Sequence, residues 1–125
     1  MPKTPIAIFM DDAGSAVLLK WLDAQPKRAK AKCIEKIELL GAFGHQLRRP
    51  DCDYLTEGVY ELRARCNRVN YRILYGFHGK NAVMLSHGCT KTDKVPKKEI
   101  ARAVRNLEMF AAKPQKHTYK RIENG

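Results

Sequence analysis

An α+β fold is predicted, with a small antiparallel or mixed sheet of three to five strands, an N-terminal helical hairpin and a C-terminal helix. Three observations predict it. Apolar residues recur at helical spacing from Val17 to Phe43 and again from Ile100 to Phe110. From Tyr60 to Gly88 the period drops to two, the alternation of half-buried strands. The alternating segments are consecutive and separated by short polar turns, which favours a meander of hairpins over crossovers. The 125 residues suffice for one core without staples, so a single domain is expected over residues 1–112, followed by a basic, mobile tail over 113–125.

Each element has a local cause. Ile6 to Met10 is a short apolar run bounded by Pro5 and by Asp11, Asp12 and Gly14, and predicts a strand. Ser15 is placed to cap a helix carrying Val17, Leu18, Trp21 and Leu22, which Pro26 stops. A second helix is predicted from Lys27 to Phe43, with Ala29, Cys33, Ile37 and Leu40 as its apolar stripe and Gly41 or Gly44 at its end. The segment "HQLRRPDCDYLTEG" reads as a connecting loop, from its Pro, Asp and Gly.

The period-two region follows. In the first strand Tyr60, Leu62 and Ala64 share one face while Glu61, Arg63 and Arg65 share the other. After a turn at "CNRVN", Val69, Tyr71, Ile73, Tyr75 and Phe77 face one way, with Asn70, Arg72 and Leu74 opposite. A turn at "FHGKN" leads to a third strand, "AVMLSHG". Three strands alone make no core, so helices must cover one face. Pro96 then opens a helix with Glu99 in its first turn and Ile100, Ala103, Leu107 and Phe110 as its stripe, and Pro114 ends it.

The formal net charge is +11, and it is unevenly placed. Residues 1–59 carry nine Lys and Arg against eight Asp and Glu; residues 60–105 carry eleven against three; residues 106–125 carry four against two. A positive field concentrated on one part of a small domain attracts a polyanion, nucleic acid above all, whereas a merely solubilising charge needs no such asymmetry. The four cysteines, Cys33, Cys52, Cys66 and Cys89, contain no CxxC pair, which argues against zinc and for small buried hydrophobes. With neither a signal peptide nor an apolar run near bilayer length, the expected location is the cytoplasm, with reduced thiols and no membrane association.

If the Tyr60/Leu62 and Tyr71/Ile73/Tyr75 faces lie under helices, the pleat places Arg63, Arg65 and Arg72 together on an open face. Guanidinium groups bind phosphate bidentately and stack on bases. Lys91, Lys94, Lys97 and Lys98, just beyond the third strand, extend this basic surface, and Arg68 stands in the turn between its first two strands. RNA-binding contacts are therefore expected from Arg65, Arg68, Lys97 and Lys98. No carboxylates cluster with His at ligand spacing, so neither a metal nor another cofactor is expected, and a route using the RNA's own 2′-hydroxyl has to be considered. That route needs removal of a proton, stabilisation of charge on phosphorus, and a proton for the departing 5′-oxygen. Crowded cations supply the second need and can depress a neighbouring lysine's pKa so that it acts as a base. His87 and Tyr119 are candidate acids or bases. His87, however, shares parity with Val83 and Leu85, which predicts a partly buried structural histidine, and Tyr119 could stack on a base or donate a proton but reads first as an idle surface residue.

The strings "LRRPDCDYLTEGVYELR", "NYRILYGFHGKNAVMLSHG" and "TDKVPKKEIARAV" together resemble the phage-derived, HigB-like branch of the RelE/ParE toxin superfamily. The resemblance rests on Gly58, Tyr60, Glu61, Leu62 and Arg63, on Tyr71 and Arg72, on His87 and Gly88, and on Lys91, Lys94, Pro96, Lys97 and Glu99, and it spans roughly residues 6–110. It implies a small sheet flanked by helices and the toxin half of a type II toxin-antitoxin pair. Such a toxin is a ribosome-dependent mRNA endonuclease (mRNA interferase), with the ribosome, mRNA and a helix-turn-helix antitoxin as partners. It further implies that Arg63 and Arg72 clamp the scissile phosphate, while Lys91 and Lys94 bind the backbone or assist proton transfer. The family commonly has a phenylalanine and paired lysines after His-Gly, where this chain has Cys89 and a single Lys91. A ParE-like gyrase inhibitor and an inactive phage-derived module that binds RNA or antitoxin are the alternatives.

Overall fold

The structure is a computed structural model that describes residues 3–79, 82–90 and 94–119. Its elements in chain order are β1 (Ile6–Ile8), α1 (Val17–Asp23), α2 (Lys27–Phe43), a 3-10 turn (Gly44–Gln46), β2 (Cys52–Thr56), β3 (Val59–Cys66), β4 (Val69–His78), β5 (Ala82–Thr90) and α3 (Lys97–Ala112). The strands form one sheet in the order β1-β5-β4-β3-β2. β2 to β5 are an antiparallel meander, and β1 joins β5 in parallel, Ile6 opposite Val83. The α+β architecture expected from the sequence is therefore present, as a mixed sheet of five strands with a helical hairpin before it and a helix after it.

The strand alternation sets the layers. Leu62, Ala64, Tyr71, Ile73, Tyr75, Val83 and Leu85 point to one face and pack with Leu18, Leu22, Ala29, Cys33 and Leu40 from α1 and α2. Fully burying one such aliphatic side chain contributes about 1.5–3 kcal/mol. The opposite face is not simply open, as parity alone suggested. Val59, Leu74 and Cys89 leave an apolar patch there, and α3 covers it with Ile100, Ala103, Val104 and Leu107. A third cluster, Phe9, Met84 and Phe110, continues that layer toward β1. The apolar residues of α3 meet Val59, Leu74, Met84 and Cys89, and the Arg63/Arg72 positions are not among their contacts in these clusters.

Four local expectations are corrected. Ser15 does not cap α1: the helix starts at Val17 without a side-chain cap, and the Ser15 N–H instead donates to Asp11 Oδ1 at 2.8 Å, closing a turn upstream. The segment read as a loop contains β2, which pairs with β3 from Cys52 opposite Leu62 to Thr56 opposite Val59. Its turn, Glu57-Gly58, has both φ angles positive (51° and 81°), the geometry of a two-residue hairpin. Sequence-local signals from Pro50 and the aspartates are overridden by the pairing surface that β3 offers. The supposed mobile tail is packed as far as Tyr119: His117 is buried, stacks on Phe9 at 5.4 Å, and sets Nδ1 2.8 Å from the Met10 carbonyl. Its polarity hid one aromatic contact and a bridge from Thr118 to Phe9. The fourth is the side of the sheet on which His87 lies.

β4 and β5 pair Leu74 with His87 but Tyr75 with Leu85, so Ser86 and His87 together oppose Leu74. This β-bulge adds one residue to β5 and reverses parity beyond it. His87 therefore does not lie with Val83 and Leu85 under α1 and α2. It turns toward α3, where its Nε2 stands 3.5 Å from Glu99 Oε1.

Candidate functional site

Arg63 and Arg72 are directly opposite in the β3–β4 register. The Arg63 N–H donates outward to the Asp51 carbonyl at 2.8 Å, so it does not bond to β4. The two arginines thus form a non-hydrogen-bonded pair, in which antiparallel geometry brings side chains closest. Two adjacent like charges repel. Glu61, two residues before Arg63 and hence on the same face, resolves this: its Oε1 accepts from Arg63 Nε at 2.6 Å, and its Oε2 lies 3.2 Å from Arg72 Nε. Glu61 is only 3% exposed. The Arg72 side chain is 11% exposed and that of Arg63 41%, so one guanidinium is largely buried beside the carboxylate and the other reaches solvent. Arg63 also approaches Asp53 Oδ2, at 3.4 Å through Nη2. A hydrogen bond from Arg49, backed by the charges of Arg49 and Arg63 and by the Tyr54 N–H, holds the Asp53 carboxyl below its usual range against a desolvation cost.

The groove beside this pair exists because β2 stops short. β2 begins at Cys52 opposite Leu62, so beyond the Asp51 contact the end of β3 has no strand on its outer side. A depression of about 560 Å³ forms there between α2, the 50–51 segment and the ends of β3 and β4. Five cationic side chains line it, Lys32, Lys36, Arg63, Arg65 and Arg72, against two carboxylates, Glu35 and Asp51. Lys36 is committed to Asp51 at 2.6 Å. Lys32 and Arg65 make no ion pair among the described residues. An anion entering this groove meets a positive surplus and guanidinium donors held in place.

The remaining sequence candidates are distributed differently. Lys94, Lys97 and Lys98 are exposed around the start of α3 and do not line the groove. Val95, between them, is buried with Leu74 and Cys89, and Cys89 is the register partner of Arg72. Lys91 lies outside the described residues. Arg68 is exposed in the two-residue turn of the β3–β4 hairpin, at φ 68°, beside Asn67 at φ 50°, and also stands outside the groove. Tyr119 is tied to β1 through its N–H to the Ile8 carbonyl at 2.8 Å, so β5 and β4 separate it from Arg63. Among the described residues no three His, Cys, Asp or Glu side chains gather as a metal-ligand set, and no helix is long and apolar enough to cross a membrane. All four cysteines are buried.

His87 is sealed, at 1% exposure. Its Nδ1 lies 2.8 Å from Ser86 Oγ, which accepts from Asn106 Nδ2 at 2.9 Å. Burial pushes its pKa down to about 4, Arg102 reinforces this, and the Glu99 carboxylate opposes it. The ring is neutral at physiological pH and has no route to a substrate in the groove. A stability consequence follows. Between pH about 6.5 and 4 the unfolded chain takes up a proton at this histidine that the folded chain refuses, so stability falls on acidification through that window by on the order of 3 kcal/mol. Above pH 6.5 both states are neutral and the contribution is constant. Denaturant midpoints across this range are expected to fall more steeply for the native chain than for His87→Gln; parallel curves would reject the assignment.

The sequence reading assigned no site role to Glu61, Lys32, Lys36, Asp51 or Asp53. Glu61 was visible as an acid sharing a strand face with Arg63 and Arg72, a signal that it would brace them. Lys32 sits on the outer part of α2, where helix periodicity gives no hint of its nearness to β3. Asp53 lay in the supposed loop. Residues 20–108, well over half of the chain, match the family described as Phage derived protein Gp49-like (DUF891). No curated protein matches the chain. The matched stretch contains Glu61, Arg63, Arg72 and α3 as far as residue 108. On that match, which covers well over half of the chain, the protein belongs to the phage-derived Gp49-like family.

Proposed function

We propose that this chain is the toxin of a type II toxin-antitoxin pair and acts in the cytoplasm as a ribosome-dependent mRNA endonuclease. The observation that carries the reading is the in-register Arg63–Arg72 pair, braced by buried Glu61 at the head of a cationic groove. A phosphodiester seated there would gain charge stabilisation where negative charge develops on phosphorus, from donors that need little reorganisation. The RNA's 2′-hydroxyl loses its proton, its oxygen bonds to phosphorus, and the 5′-oxygen leaves with a proton. Lys91 and Lys94, the latter exposed ahead of α3 and outside the groove, are the groups proposed to hold the neighbouring backbone or assist proton transfer, since His87 is buried. The ribosome would hold the strand in line for attack and so supply the proximity contribution. The positive surplus also suits an acidic antitoxin segment, whose binding would close the groove.

The test is expression of the native chain, Arg63→Ala and Arg72→Ala in cells, with growth and mRNA 5′ ends recorded. The native chain is expected to arrest growth and create new ends within translated messages. Each variant is expected to cut about 10²–10³-fold less, as when one charge-stabilising donor is lost. Equal toxicity of all three without new ends would reject the nuclease. If the purified chain inhibits DNA supercoiling in that case, the gyrase-directed alternative replaces it.

A further inference from the structure

A second depression, of about 530 Å³, adjoins the site above through Asp53. His45, Arg48, Arg49, Asp53, Tyr54 and Tyr60 are its chief walls. Tyr54 is 52% exposed yet held: its hydroxyl accepts from the Gly58 N–H at 3.1 Å, and its ring meets Tyr60 edge-on at 5.0 Å. The His45 ring is stacked on Phe77 at 3.6 Å. Two guanidiniums are hydrogen-bonded beside these rings. Arg48 Nη1 donates to the His45 and Leu47 carbonyls at 2.6 and 3.0 Å, and Arg49 Nη2 donates to Asp53 Oδ2 at 2.9 Å. Immobilised rings with adjacent cations are the two elements that single-stranded nucleic acid recognition combines, stacking for bases and charge for phosphates.

The two depressions are joined through one carboxylate. Asp53 Oδ2 accepts from Arg49 and also lies 3.4 Å from Arg63 Nη2. Asp53 thus sets Arg49 beside Arg63, so a strand whose phosphate lies on Arg63 can pass along Arg49 and around the edge strand β2 to this second depression. We infer that it is a base subsite, in which an unpaired RNA base flanking the bound phosphate stacks on Tyr54 while Arg48 and Arg49 hold the adjoining backbone. The inference rests on the proposed RNA-directed function and adds a part of the substrate that the arginine pair does not touch. Only a single strand fits, because a base must be unstacked from its neighbours to lie on a side chain.

The test is fluorescence anisotropy with a labelled, mixed-sequence 2′-O-methyl RNA oligomer, which cannot be cut by its own 2′-hydroxyl, at fixed low salt. Tyr54→Ala is expected to weaken binding by about 5- to 100-fold, the effect of losing one stacked base, and Tyr54→Phe to bind within about 3-fold of the native chain. Removing the base at one position of the oligomer is expected to weaken the native chain but not Tyr54→Ala. If Arg63→Ala weakens binding and Tyr54→Ala does not, the base subsite is overturned while the proposed function stands. Equal Tyr54 dependence on duplex RNA, or no binding by the native chain, also overturns the subsite, and the mRNA-end mapping then judges the function on its own.

Discussion

Replacing Glu61 with alanine is expected to lower stability by about 3–5 kcal/mol, the usual cost of removing one partner from a buried ion pair. The carboxylate is almost wholly buried and each of its oxygens faces an arginine Nε, at 2.6 and 3.2 Å. Without it, two guanidiniums from directly opposed strand positions repel, and the one on Arg72 does so with little access to water. Small domains have total stabilities of about 5–15 kcal/mol, so the variant is expected to approach unfolding. Glu61→Gln, which keeps the shape and one acceptor oxygen, is expected to lose less. Urea unfolding of the three proteins decides the matter: a loss below about 1 kcal/mol for Glu61→Ala would mean that the pair behaves as an exposed one. RNA cutting by Glu61→Gln is expected to fall even where the fold survives, because the brace positions both cations.

Gly88→Ala is expected to be the second most damaging change, at or beyond about 3 kcal/mol, the upper end for overpacking a filled core. A Cβ on Gly88 would run into the six-membered ring of Trp21, a partly buried indole packed against the sheet, so the ring or the strand must shift to admit it. Gly88 pairs with Ile73, and Trp21 also meets Tyr71 edge-on at 6.2 Å, so the ring is wedged between α1 and the middle of the sheet. This gives a packing reason for the His-Gly step in the sequence pattern. Thermal melts of Gly88→Ala and of the double variant Gly88→Ala/Trp21→Leu test it. The smaller side chain is expected to recover part of the loss, and failure to recover any would place the strain elsewhere.

The sequence pattern located most of the architecture because helical and strand periods are local properties of a chain. The α2 stripe of Ala29, Cys33, Ile37 and Leu40 packs as spaced, and so do Ala103, Leu107 and Phe110 on α3. Parity correctly set Arg63, Arg65 and Arg72 apart from the Leu62/Ile73 face. It failed where the backbone breaks its own rule: one extra residue at Ser86–His87 reverses every side chain after it, and no local signal announces a bulge. It failed again at β2, where turn-forming residues sit in a strand because β3 supplies a partner.

Amino-acid order alone determined the family, the fold class and the possession of clustered arginines, since each depends on residues near one another along the chain. Tertiary structure alone decided that buried Glu61 holds Arg63 and Arg72 together, that Lys32 from a helix and Asp51 from a turn complete the groove, and that His87 is sealed beneath α3. Those outcomes depend on register, on where β2 ends, and on which apolar patch the last helix covers. Each is settled by contacts between segments distant in sequence, whose energies no local period encodes.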